Sequence, residues 1–150
     1  MRSNTRTWRV LALASVLLLG ACTSAPKRPS TSLTLSACGW LPQCVNSQSG
    51  RGIQACEPIK ADAEQWQQLK AWIARQQDWE VTVDGGNFLQ AVVTTRMMRF
   101  RDDVQWLFIP DSRLIHVYSS SRLAISDLGT NARRVEMLRN QLTRRRSIPK

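Results

Sequence analysis

Histidine occurs once in this chain, at position 116, and tyrosine once, at 118. A single imidazole leaves little room for a histidine-rich metal centre or a histidine-activated nucleophile, since both need partners at defined spacing. Acidic residues are also scarce, 11 against 21 lysines and arginines, giving a formal charge of +10 over 150 residues. The most apolar stretch, Val10–Leu19, falls well short of the roughly 20 residues that a membrane-spanning helix needs. No internal repeat is visible.

That short stretch has informative flanks. Arg2, Arg6 and Arg9 precede it, and Leu19-Gly20-Ala21-Cys22 closes it. A basic head, a brief apolar core and small residues before a cut make residues 1–21 an export signal. The Leu-Gly-Ala-Cys ending resembles the lipobox of bacterial lipoproteins. The resemblance implies cleavage before Cys22, fatty acylation of its thiol and new amine, and a membrane anchor in the cell envelope facing the periplasm. Thr23 stands where an Asp would be the usual inner-membrane retention signal, which leans the expectation towards the outer membrane.

Residues 22–36 are rich in Pro, Ser and Thr and carry Lys27 and Arg28. Such a composition cannot bury enough apolar surface to fold and reads as a tether. Residues 37–150 then suit a single domain with a basic tail. Losing Arg2, Arg6 and Arg9 lowers the formal charge from +10 to about +7. A basic exported protein is drawn to anionic lipid, or to an envelope protein, and export argues against nucleic acid. Arg144-Arg145-Arg146 is most simply a solvated helix end complementing the macrodipole.

With Cys22 acylated, Cys38, Cys44 and Cys56 remain. An oxidising compartment favours one disulfide among them and leaves one thiol over, the pairing being open. Three thiols at these spacings beside one histidine match no familiar zinc site, so neither metal nor cofactor is expected.

Asp62 with Gln65 three residues later forms a capping box, followed by Trp66, Leu69, Trp72 and Ile73 on one helical face. Trp79–Asp84 alternates as a strand, Asp84-Gly85-Gly86-Asn87 is a turn, and Phe88–Thr95 returns. Val104–Ile109 and Leu114–Ser119 give two more strands around Pro110–Arg113. Thr130 or Asn131 caps a second helix striped by Val135, Leu138 and Leu142. The expected fold is α+β, a four-stranded antiparallel sheet with both helices on one face. Trp40, beside Pro42 and between two cysteines, is the tryptophan expected to be exposed; the others serve core and rim.

The stretch Val117–Glu136 contains Ser119, Ser121, Arg122, Asp127, Gly129, Asn131 and Arg134. These positions resemble the signature Arg-Ser-x-Ser-Arg-x-Gly-x-x-Asp-x-Gly-x-Asn-Arg-x-Arg of a bacterial and plastid family, the domain of unknown function 1499. Asp102-Asp103-Val104, and Cys38 with Cys44-Val45-Asn46-Ser47, agree with it too. Tyr118, Ala124 and Ala132 replace Arg, Gly and Arg of that pattern, and Cys56 lies outside it. The resemblance supplies no activity.

Ser119, Ser121, Arg122, Asp127, Asn131 and Arg134 should meet where a strand end, a loop and a helix start converge. A helix N-terminus with guanidinium and hydroxyl groups can hold a phosphate or carboxylate. Alternatively these groups satisfy one another, Asp102 or Asp103 pairing with Arg122 or Arg134. Asp102 and Asp103 are adjacent in a strand and point to opposite faces, so they make no acid–base pair. A hydrolase built on Ser119 or Ser121 lacks a base within reach. The reading is an envelope lipoprotein that binds or scaffolds, with an anion binder as the alternative and no catalytic residues assigned.

Overall fold

The computed structural model describes residues 31–123 and 128–146, the last two residues as helical backbone only. Six strands and two helices follow one another: β1 (Cys44–Asn46), β2 (Ile59–Lys60), α1 (Ala63–Ile73), β3 (Trp79–Asp84), β4 (Phe88–Thr94), β5 (Arg101–Ile109), β6 (Leu114–Ser121) and α2 (Thr130–Arg146). The sheet is antiparallel, in the order β1-β6-β5-β4-β3. β2 also pairs with β6, Ile59 opposite Ile115, below the β1 pairing of Val45 with Ser119. The α+β class therefore holds, but the sheet has six strands and not four. β1 and β2 are too short to show a period, and they line up end to end along one edge of β6.

Local chemistry explains the long elements. The Gln65 backbone N–H donates to Asp62 Oδ1 at 2.8 Å, and the Asp62 N–H donates to Gln65 Oε1 at 3.0 Å. That closes the capping box the spacing predicts. Trp66, Leu69 and Ile73 of α1 and Val135, Leu138 and Leu142 of α2 bury against Leu89, Val104, Trp106, Ile115 and Val117. Both helices thus cover one face of the sheet. Trp66 stacks on Phe108, and its indole N–H donates to the Gly86 carbonyl at 2.7 Å. Trp40 is 91% exposed, as its setting suggested.

The opposite face is not left wet. Leu35 packs there with Phe88 and Leu107, and the Ser36 N–H donates to Gln105 Oε1 at 2.8 Å. The chain is packed on the sheet from Leu35 onward, two residues before the composition change that ends the tether. A bulge between Val81 and Val83 breaks the alternation of β3. Val83 therefore turns to this second face while Val81 stays partly exposed. Cys38 and Cys44 form the disulfide, leaving Cys56 as the free thiol among the described residues.

Candidate functional site

β5 begins and β6 ends beside the start of α2, and their register fixes which side chains meet. Asp102 lies opposite Ser121, and Val104 opposite Ser119. Side chains alternate along a strand, so Asp102, Ser119 and Ser121 share the helix-covered face. α2 begins at Thr130, which places Asn131 inside its first turn. Asn131 is therefore not the capping residue. Its side chain faces the sheet, fully buried.

The contacts interlock. Arg134 Nη2 donates to Asp102 Oδ2 at 2.5 Å, and Nη1 donates to Ser119 Oγ at 2.8 Å and Asn131 Oδ1 at 2.6 Å. Ser119 Oγ donates to Asn131 Oδ1 at 2.6 Å, and Ser121 Oγ donates to Asp102 Oδ1 at 2.7 Å. Asn131 Nδ2 and the Ser121 N–H both donate to the Gln43 carbonyl, at 2.7 and 3.1 Å. β1, β5, β6 and α2 are thereby tied at one point. Gly129, with φ +77°, supplies the left-handed turn that admits the chain to α2.

Arg122 does not join this group. It follows β6 on the other face, where Nε and Nη2 grip both oxygens of Asp103 at 2.9 and 2.8 Å. The hydrogen bonds to Asp103 raise the Arg122 pKa, with burial opposing them. Asp102 and Asp103 thus diverge, and each takes its own arginine. Asp127 lies outside the described residues, as do Cys22 and the export signal.

A family model described as "Protein of unknown function (DUF1499)" matches residues 34–142, nearly the whole folded part. The chain belongs to the DUF1499 family. No curated protein and no solved structure matches it.

In this DUF1499 protein Ser119, Ser121, Asn131 and Arg134 hydrogen-bond to one another and to Asp102. Ser119, Asp102, Asn131 and Arg134 are all buried. His116, the one imidazole, lies on the face opposite Ser119 and Ser121, its Nδ1 3.2 Å from Ser47 Oγ. Among the described residues no group of three or more His, Cys, Asp or Glu is placed to hold a metal ion. No described helix is long and apolar enough to cross a membrane.

Two surface features escaped sequence reasoning. One is a groove of about 860 Å³ between Ala55–Glu57 and α2, lined by Cys56, Val135, Met137 and Arg139 among others. Arg139 bridges it by donating to the Glu57 and Pro58 carbonyls. The second is the β4–β5 turn, where Met97 and Met98 are 93% and 64% exposed. The run Arg96-Met97-Met98-Arg99-Phe100-Arg101 carries the signal for it, alternating cations with apolar residues between two strands.

Proposed function

We propose that this DUF1499 protein is a lipid-anchored component of the cell envelope, held to the membrane by acylated Cys22. Its folded domain binds or assembles with other envelope material through its surface. It faces the periplasm, on the outer membrane in preference to the inner. The observation that carries the binding role is the contrast between its polar and apolar groups. Asp102, Ser119, Asn131 and Arg134 are buried and bonded inside the fold, while large apolar side chains stand exposed at one end. Exposed apolar patches rimmed by charge mark interaction surfaces. Ser119 and Ser121 donate to Asn131 and Asp102, with the imidazole on the far side of the sheet, an arrangement that supports binding over hydrolysis.

The test is fractionation with crosslinking in intact cells. The wild-type chain should pellet with envelopes and yield a reproducible crosslinked partner, and Cys22→Ser should move it to the soluble fraction. Cys22→Ser protein that still pellets in full would refute the anchor. A crosslinking profile that is blank in native envelopes would refute the assembly role.

A further inference from the structure

The end of the sheet where β4 turns into β5 carries apolar side chains that the fold does not use. Met97 and Met98 project from that turn, and Phe100 is 39% exposed at its base. Trp40 projects from the loop Gly39–Gln43 closed by Cys38–Cys44. Ile53, 80% exposed, sits on the adjoining turn, where Gln54 Nε2 donates to the Gly39 and Leu41 carbonyls at 2.8 and 2.7 Å.

Strand register puts these loops at the same end. Thr94 pairs with Arg101 at the top of the β4–β5 ladder, and the Arg122 N–H donates to the Arg101 carbonyl. Beside it the Ser121 N–H donates to the Gln43 carbonyl, and the chain from Cys38 to Gln43 lies beyond. β1 and β4 are separated by β6 and β5, a gap of three strand spacings or about 14 Å. The loops therefore line one rim of the sheet.

Arginines are interleaved with the apolar groups. Arg96 pairs with Asp78 at 2.8 Å while its side chain stays 88% exposed, and Arg101 reaches Glu80 only at 3.4 Å. Exposed pairs of this kind are weak and exchange partners easily. Arg99 and Arg75 add two further exposed cations at this end.

We infer that this rim is a membrane-contacting surface that lies on anionic phospholipid, with guanidinium groups on the phosphates and Trp40, Met97 and Met98 in the interfacial layer. The occupant follows from exposure and charge together. Protruding loops with cations beside large apolar groups enter a fluid interface, where tryptophan is favoured. The inference rests on the lipid-anchored reading, which keeps a bilayer within reach. From Leu35, packed on Leu107, the chain runs by way of Ser36 and Gln105 to the Cys38–Cys44 loop at the rim, so Leu35 lies towards the other end of the sheet. A stretch of thirteen residues, the separation of Cys22 from Leu35, can span at most roughly 45 Å, which exceeds the ~30 Å length of nine-residue β5. The rim can therefore fold down onto the membrane that holds the anchor.

The test uses the acylated full-length product reconstituted into vesicles, with an environment-sensitive fluorophore at Met97→Cys or, at the opposite end, Asp111→Cys, each in a Cys56→Ser background. On phosphatidylcholine vesicles containing phosphatidylglycerol, acrylamide should quench the label at 97 at least about threefold less than the label at 111, and molar salt or Arg96→Gln/Arg99→Asn should remove the difference. Equal quenching at both positions on anionic vesicles would overturn the inference. So would protection at 97 that persists unchanged on purely zwitterionic vesicles in molar salt. Mass spectrometry of residue 22 in the same samples reports the anchor separately, so failure of the rim and failure of the anchor are distinguishable.

Discussion

Arg134 of α2 and Asp102 of β5 form an ion pair whose two side chains are 6% and 1% exposed. The residues are 32 apart in sequence, and the pair joins the second helix to the middle of the sheet. Removing one partner strands a buried charge, which costs about 3–5 kcal/mol. Arg134→Met should lower the melting midpoint by roughly 10–20 °C. Asp102→Leu/Arg134→Met should regain much of that loss, because a well-packed apolar pair replaces both charges at once. Calorimetry of both variants decides it. A single variant that melts like wild type would remove the structural role assigned to the pair.

The disulfide has a smaller effect. Cys38 and Cys44 close a short loop, for which chain entropy gives about 2 kcal/mol. Urea unfolding in the presence of a reductant should show a loss of this size. The same loss should appear in Cys38→Ala/Cys44→Ala without reductant. Gln43, inside the bridged loop and just before β1, presents its carbonyl to Asn131 and Ser121. Amide exchange at Ser121 should therefore speed up on reduction, while exchange at Trp106 stays slow.

Cys56 offers a prediction in pH. Burial pushes its thiol from the ordinary 9.0 up to about 11, with Arg139 partly pulling it back. The thiol is thus protonated at neutral pH, and iodoacetamide should label it roughly a hundredfold more slowly in the folded chain than in the unfolded one. The unfolded thiol ionises first as pH rises, so this group's contribution to stability is complete below pH 9 and lost between about 9 and about 11. Cys56→Ser should abolish that part of the alkaline decline. Rapid native labelling at pH 7.5 would contradict the burial.

The long elements were legible because their signals are local. Asp62 and Gln65 announce α1, Gly85-Gly86 announces the β3–β4 turn, and Val104, Trp106 and Phe108 recur at the period of two that a strand requires. β1 and β2 were not legible, since three and two residues carry no period and pair only because β6 has an edge to fill. The covering of the second face was hidden for a related reason. Leu35 is a single apolar residue in a Pro- and Ser-rich stretch, and its partners Phe88 and Leu107 lie more than fifty positions away. At the candidate site, the divergence of Asp102 and Asp103 followed from strand geometry alone. Which arginine each would take did not, because that depends on Arg134 projecting from a helix and Arg122 leaving a strand end. The place of Asn131 inside α2, where a cap had been expected, depends on Gly129 starting the helix one residue sooner.

The whole functional account depends on the fate of one thiol, and intact-protein mass spectrometry of the product purified from its native membrane tests it most directly. The account predicts a chain that begins at Cys22, carries the mass of its fatty acyl groups and lacks residues 1–21. A chain that retains Met1 and bears an unmodified Cys22 would contradict it.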